Sequence, residues 1–378
     1  LNFSGKQIGS FFATMGIASL FMPALMGIIA DRWVQAQRLL GICHLIAGTF
    51  MVIAAPQTGY TPLYALILCS VLFYMPTISL SNSVAYSSLG KANLDTVKHF
   101  PPIRVWGTVG FICAMIFVDL LGFTRSPNQL YFSAILSFIL GIYSFTLPQS
   151  EVSKVEKSQS WVDAMGLRAF ALFKEKRMAI FFIFCMFLGV SLQITNAFAN
   201  DYLTNHFGTM EIYQGTFGVE HANILISLSQ LSETLCILLI PFFLKRFGIK
   251  IVMLISMLAW VLRFGLLGAG NPGSGVWMLI LSMLVYGVAF DFFNISGSLY
   301  VDQETSPSIR SSAQGVFMIM TNGFGALIGS YAAGFVVDHV GWPNSWYVFA
   351  GYALIVAVLF ALIFKHKHNP EEIPDQII

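Results

Sequence analysis

The stretches ISLSQLSETLCILLI (226–240) and LVYGVAFDFFNISG (284–297) each place one carboxylate, Glu233 or Asp291, deep inside an apolar run. A charged side chain at the centre of a bilayer costs on the order of 3 kcal/mol even on the insertion scales that tolerate charge best. Such residues usually face a polar cavity and mark a functional site. The two stretches therefore predict membrane-spanning helices arranged around a polar cavity.

The composition of the whole chain is typical of a polytopic membrane protein. Its 378 residues are 56% hydrophobic and 10% charged, and the mean hydropathy is +0.74. A soluble domain carries about 25% charged residues. The apolar runs last about 20 residues, the length of a transmembrane helix, whereas barrel strands would be about half as long and would alternate. We predict an all-α integral membrane protein in a lipid bilayer. The net charge of +2 gives no reason to expect a nucleic-acid partner.

The hydropathy pattern predicts eleven spans, five before and six after one long polar connection. The predicted domains are an N-terminal bundle at 1–147, a cytoplasmic linker at 148–176, a C-terminal bundle at 177–368 and a cytoplasmic tail at 369–378. The predicted spans are 7–30, 38–56, 61–89, 101–122, 128–147, 177–203, 220–244, 249–270, 276–300, 309–337 and 345–364.

The distribution of Lys and Arg predicts the orientation of the chain. These residues are concentrated in alternate loops, and the other set of loops holds only Lys6 and Arg125. The basic side of a membrane protein faces the cytoplasm. The central linker and the C-terminus are therefore predicted inside, and residues 1–6 outside. Since five spans follow an outside start, we expect one further helix before residue 1, completing a bundle of six.

A loop pattern recurs in the two halves of the chain. Gly27-Ile-Ile-Ala-Asp31-Arg32 follows the first predicted span, Pro241-Phe-Phe-Leu-Lys245-Arg246-Phe-Gly248 follows the seventh, and Gly334-Phe-Val-Val-Asp338-His-Val-Gly341 is a weaker echo. Recurrence at corresponding places indicates two pseudo-repeat bundles. The first copy departs from the pattern, because Trp33-Val34 stands where glycine is expected. The TNGFGALIG run (321–329) is interpreted as close helix packing, because no strand precedes it as a phosphate-binding loop requires.

Four predicted helices each carry one stripe of polar and aromatic side chains. An amide offers a donor and an acceptor together, a carboxylate accepts two hydroxyl donors, and aromatic faces suit a flat ring. This set matches a nucleoside better than a peptide, a lipid or an inorganic ion. Alternatively, the amides only join helices, or a carboxylate forms a structural ion pair with Arg104 or Arg263. The stripes comprise Arg104, Thr108 and Phe111; Gln193 and Asn196; Gln230 and Glu233; and Tyr286, Phe290, Asp291 and Asn294.

Long motifs in the same order resemble the nucleoside:proton symporter family of bacterial nucleoside permeases, within the major facilitator superfamily. They include FMPALMGIIADRW (21–33), FPPIRVWGTVGF (100–111), SLSQLSETLCILLIPFFLKRFGIK (227–250) and VYGVAFDFFNISGSLYV (285–301). The resemblance extends from residue 1 to about residue 368. It implies the major facilitator fold of twelve helices in two bundles, of which eleven are present here and the first would precede residue 1.

The resemblance also implies a function and a set of site residues. We expect proton-coupled import of purine and/or pyrimidine nucleosides by alternating access, by a monomer in the bacterial cytoplasmic (inner) membrane, with Asp291 and Glu233 coupling the proton. We expect no cofactor, no metal and no catalytic residue. The implied substrate-binding residues are Arg104, Thr108, Phe111, Gln193, Asn196, Gln230, Glu233, Tyr286, Phe290 and Asp291.

Three other functions remain open to test. A sugar or glycoside:proton symporter would use the same carboxylates for hydroxyls and Phe290 for a ring, and competition of nucleoside uptake by free ribose would reveal it. A membrane enzyme would need a nucleophile–base pair or a metal cluster, and the seven histidines show no pair at helical ligand spacing. A sensing receptor would bind nucleoside without flux.

Overall fold

A computed structural model describes residues 3–94, 96–150, 167–305 and 310–366, and all regular elements in these ranges are helical. The described residues form two compact units, one within 10–168 and the other within 169–378, with residues 4–9 grouped with the second. The first unit contains most of α1 (Gly5–Arg32) and all of α2 (Ala36–Ala54), α3 (Tyr60–Lys91), α4 (Thr96–Leu120) and α5 (Asn128–Ser144).

The second unit carries the site-bearing helices. They are α6 (Lys176–Asp201), which continues through π-helical and 3-10 turns to Thr209, α7 (Ala222–Ala269), α8 (Val276–Glu304), α9 (Arg310–Met318), a π-helical segment (Ile319–Gly325), α10 (Ala326–Val340) and α11 (Asn344–Ile363). The helix α7 contains two of the predicted spans, separated by a break at Gly248. The chain from α9 through α10 forms one span.

The helices agree with the eleven predicted spans in order and in type. Within the described ranges, nine are long and apolar enough to cross a membrane. The other two fall short for simple reasons. The apolar part of α4 covers only Val105–Leu120, because its N-terminal portion is polar, and α5 has 17 residues. Residues 151–166 of the predicted linker, the last two residues of the predicted C-terminal bundle (367–368) and the whole predicted tail (369–378) lie outside the described residues.

Two of the three loop-pattern copies end their helices on a left-handed glycine. Gly248 has φ +76° and Gly341 has φ +71°. Glycine adopts this region without the steric cost that a Cβ atom imposes. In the first copy Val34 occupies the corresponding position, and its N–H instead donates to the Ile29 carbonyl at 3.0 Å. The first copy, which lacks the glycine, therefore ends its helix with this backbone hydrogen bond and not with a residue of positive φ.

A buried hydrophobic cluster of the N-terminal unit joins the C-terminal halves of α1 and α3 to the first half of α2. Cys43, Leu40, Leu80, Val84 and Met26 are all buried in one cluster. Both units expose large apolar side chains, for example Leu120 (65% exposed) in the first and Leu238 (73% exposed) in the second. Apolar side chains at such exposure are stable when lipid rather than water covers them.

Candidate functional site

One face of α8 carries an aromatic pair and a buried carboxylate. Tyr286 and Phe290 are one turn apart, and their rings stack with centroids 5.8 Å apart and an interplanar angle of 19°. Asp291 follows directly and is 2% exposed. Its Oδ2 has no hydrogen-bond partner among the described residues. A buried carboxylate without partners is costly when it is charged, so this atom needs a proton or a ligand.

The helix α7 brings Glu233 to the same region through an unusually close contact with α8. A Cβ atom on Gly287 would lie 2.6 Å from the Ser232 carbonyl carbon, so only glycine fits there. The Ser232 hydroxyl donates to the Leu284 carbonyl, and the Ser229 hydroxyl contacts Met283 Sδ at 3.2 Å. Small and hydroxyl residues at such contacts are typical of membrane helix pairs.

This contact places Glu233, which is half-buried, within electrostatic range of both Asp291 and Tyr286. Gln230, one turn earlier on α7, is likewise half-buried. The two carboxylates that are far apart in the sequence are therefore neighbours in one unit.

Arg263 is the buried cation of this region, and it lies on the second half of α7. It is 1% exposed, and its guanidinium carbon lies 4.7 Å from the centroid of the Tyr286 ring. The guanidinium donates to the Ser282 carbonyl and lies 3.5 Å from the Thr195 hydroxyl. A desolvated cation over an aromatic face contributes about 2 kcal/mol or more.

These contacts decide one alternative raised by the sequence. Arg263 bonds to a carbonyl, a hydroxyl and an aromatic ring, and it forms no ion pair with Asp291. The interpretation of Asp291 and Arg263 as a structural ion pair is therefore wrong. The sequence analysis considered Arg263 only as an ion-pair partner of a carboxylate. Its place in the site could have been suspected because it is a lone Arg inside the apolar run MLISMLAWVLRFGLLG (253–268).

The two predicted amides of α6 have different environments. Gln193 is 6% exposed, and its Nε2 has no hydrogen-bond partner among the described residues, whereas Asn196 is exposed. Spacing of i, i+3 places two side chains on one face only approximately, which explains the difference. Gln193 has an unsatisfied donor available for a ligand.

The three predicted residues of α4 belong to the other unit. Phe111 is 53% exposed and Thr108 is half-buried. The Arg104 side chain lies outside the described residues. Their role as substrate-binding residues stays a prediction.

A cleft in the C-terminal unit opens beside the aromatic pair. The space in it that a water-sized sphere can occupy is only about 20 Å³. Phe290 and Trp260 form an aromatic wall, and the carboxamides of Asn294 and Asn322 also line it. Asn322 was not among the predicted site residues, because a single amide near a GxG run gave no signal for it.

Comparison with known proteins identifies the family. The model of the nucleoside H⁺ symporter family matches residues 1–369. The chain belongs to the nucleoside H⁺ symporter family. This symporter is 50% identical to the nucleoside permease NupG of Escherichia coli K12 over 375 residues, 97% of this chain and 90% of the permease. It is 49% identical to the xanthosine permease of the same organism over 385 residues, 100% of this chain and 92% of that permease.

A solved structure shows that the symporter has the expected fold. A crystal structure of an aspartate-to-alanine mutant of the nucleoside transporter NupG superposes with a TM-score of 0.93, at 50% identity, covering 96% of this chain and 92% of that one. The fold is that of the major facilitator superfamily, as predicted. The symporter is thus a multi-pass membrane transporter of nucleosides and protons and not an enzyme.

Proposed function

We propose that the symporter drives nucleoside import with protons through Asp291, and that Glu233 binds the ribose. The observation that carries this proposal is the Asp291 carboxylate, which is 2% exposed and has an oxygen without a partner. Protonation neutralises the carboxylate and removes most of the cost of holding it in an apolar interior. A carrier that closes around its substrate more readily when Asp291 is protonated couples the two fluxes by alternating access.

The neighbouring carboxylate strengthens this assignment. Glu233 lies within electrostatic range of Asp291, so the two carboxylates repel each other when both are charged, and a proton on Asp291 relieves that repulsion. Glu233 is half-buried and is the better placed of the two to accept hydrogen bonds from both ribose hydroxyls. Tyr286 and Phe290 supply flat faces for the base. The proposed substrate-binding set also retains Arg104, Thr108, Phe111, Gln193, Asn196 and Gln230.

The proposal extends to the cellular setting. The basic loops support a bacterial cytoplasmic membrane location with the C-terminal tail in the cytoplasm. The exposed apolar side chains support direct lipid contact. The proposal includes a working monomer without a nucleic-acid partner.

The experiment is uridine transport in proteoliposomes with and without an imposed proton gradient. Asp291→Asn keeps the size of the side chain and removes its titration. We expect this variant to lose gradient-driven accumulation and substrate-induced proton uptake while retaining exchange of uridine across the membrane. Glu233→Gln should raise the KM for uridine and leave accumulation dependent on the gradient.

The matched control is Glu304→Gln, an exposed carboxylate at the end of the same helix α8. It should leave both accumulation and exchange unchanged. If Asp291→Asn still concentrates uridine and still alkalinises the medium, Asp291 is not the coupling residue.

A further inference from the structure

A polar cavity lies in the N-terminal unit, which holds neither of the two site carboxylates. A water-sized sphere can occupy about 440 Å³ of it. The cavity is bordered by Ala30 of α1, Ala36 of α2, the last turns of α3 and Ser150. Of the described side chains that line it, none is acidic. The basic loops predict that this end of the unit faces the cytoplasm.

Two hydroxyl groups of α3 border the cavity without being bonded to their own helix. Ser83 and Ser87 are one turn apart and share a helix face. Nearby, Ser81 and Ser88 donate to carbonyls of the same helix at 2.9 and 2.8 Å, which is how serine in a helix often satisfies its hydroxyl. Ser83 and Ser87 form no such bond, nor any other within the described part of the chain. Two donors are therefore available to a ligand.

A cation and a third hydroxyl are held at the same cavity by the chain at 149–150. The Lys91 ammonium donates to the Gln149 carbonyl, which uses one of its three donors. The Ser150 N–H donates to Oε1 of the buried Gln37 at 2.9 Å. Ser150 is 6% exposed, and its Oγ is buried with no hydrogen-bond partner among the described residues. These bonds fix both side chains at the edge of the cavity.

This set of groups matches a phosphate. Phosphate oxygens accept hydrogen bonds, lysine binds phosphate as a point charge, and hydroxyls are neutral donors beside it. The ammonium group disfavours a metal cation, and the polar lining disfavours an apolar ligand. A buried hydroxyl without a partner is costly, so a ligand that accepts its hydrogen bond is favoured.

We propose that this cavity binds a phosphate group through Lys91, Ser83, Ser87 and Ser150. The phosphate belongs either to a soluble phosphate compound or to the headgroup of an anionic phospholipid. Because its ligands come from α3 and from the start of the linker, a bound phosphate joins these two segments and stabilises the N-terminal unit. The site is independent of the nucleoside and proton site, since it shares no residue with it.

The test is thermal unfolding of the purified full chain in a neutral detergent. One arm titrates inorganic phosphate against sodium chloride at constant ionic strength, and the other adds phosphatidylglycerol or, for comparison, phosphatidylcholine. We expect a saturable rise in melting temperature with phosphate, with phosphatidylglycerol or with both, and the arm that responds identifies the source. Lys91→Gln should raise the half-saturating concentration about tenfold or more, because a charged hydrogen-bond donor is lost.

Matched variants separate a built site from general attraction of anions. Lys174→Gln removes an exposed lysine outside the cavity, and Ser81→Ala removes a hydroxyl bonded within α3, so both should keep the full response. The double variant Ser83→Ala, Ser87→Ala removes only unbonded hydroxyls and should also weaken the response, which tests the site even if Lys91→Gln folds poorly. No response to either probe, or equal losses in Lys91→Gln and Lys174→Gln, would overturn the proposal.

Discussion

Asp291 and Arg263 are both almost fully buried in the C-terminal unit, but they differ in how many hydrogen-bond partners they have. Arg263 is stabilised by the Ser282 carbonyl, the Thr195 hydroxyl and the face of Tyr286. Asp291 retains an oxygen without a partner. A buried charged group whose hydrogen bonds are all made gains little from a further ligand, whereas one with an unpaired atom is stabilised by a proton or a substrate. We therefore expect Arg263 to hold Tyr286 in position and Asp291 to bind the proton.

Replacement of Arg263 should lower the affinity for substrate, because Tyr286 would no longer be held in position. Arg263→Gln removes the cation over Tyr286, which is worth about 2 kcal/mol when desolvated. At 1.4 kcal/mol for each factor of ten, we expect the KM for uridine to rise by about ten- to thirtyfold. Arg263→Lys should restore part of the affinity, because a cation returns. Proton-gradient dependence should persist in both variants.

A double-mutant cycle with Tyr286→Leu checks this contact. Residues that act through each other give non-additive changes, so Arg263→Gln should add little to the KM of Tyr286→Leu. Ser256→Ala, which removes another buried polar group from the same half of α7, is the control and should combine additively. Full additivity of the Arg263 and Tyr286 changes would contradict the contact between them.

At the scale of elements, close helix crossings position the site. The α7–α8 contact at Gly287 brings Glu233 to Asp291, and the contact of α6 with the π-helical segment carries Asn322 to the cleft. The interpretation of TNGFGALIG as a close-packing segment is confirmed by Gly325, which lies against Gly189. Membrane helices lack a hydrophobic force between them, so small residues at such crossings contribute much of the packing.

A methyl group at Gly189 should disturb the crossing of α6 with the π-helical segment. Gly189→Ala places its Cβ atom against the Thr321 backbone, which cannot move as a flexible side chain does. Overpacking of this kind costs about 1–3 kcal/mol. We expect a lower melting temperature in detergent, measured by thermal unfolding of the purified protein. Bound uridine should recover part of the loss.

The comparison variant is Gly265→Ala, a helical glycine of α7 with nothing within 4 Å of an added Cβ atom. Alanine is favoured over glycine inside a helix by about 0.5–1 kcal/mol, so this variant should keep or raise the melting temperature. Equal effects of the two substitutions would show that the crossing is looser than the structure indicates.

At the scale of the whole molecule, charge determines orientation and apolar surface determines environment. The basic residues lie in alternate loops, with only Lys6 and Arg125 in the opposite set. The loop between α7 and α8 is therefore predicted outside, and the end of α11 inside. Since short basic loops are usually retained in the cytoplasm, this asymmetry predicts how the entire chain is inserted.

Cysteine labelling in intact cells tests the orientation. Ser274→Cys, an exposed position between α7 and α8, should react with a membrane-impermeant maleimide. Lys365→Cys, an exposed position beyond α11, should react only after the cells are made permeable. The unmodified protein with its five native cysteines provides the background. Labelling of Lys365→Cys in intact cells would reverse the proposed orientation.

Hydropathy, charge distribution and long family motifs were sufficient to predict the helices, their order, the fold and the symport activity. These properties depend on local patterns, because a bilayer requires each span to be apolar and to satisfy its own backbone hydrogen bonds. The same patterns singled out Glu233 and Asp291, since a carboxylate in an apolar run is anomalous without any knowledge of its neighbours.

Which side chains meet was decided only by tertiary structure. Glu233 and Asp291 are neighbours because α7 and α8 touch at Gly287, and Arg263 lies on the Tyr286 ring and not on Asp291. Gln193 and Asn196, equally plausible by spacing, differ in burial, and Asn322 enters the cleft through a π-helical turn that no periodicity predicts. Such contacts depend on the rotation and close approach of helices. Packing between segments far apart in the chain determines both, and the local pattern of each segment does not contain that information.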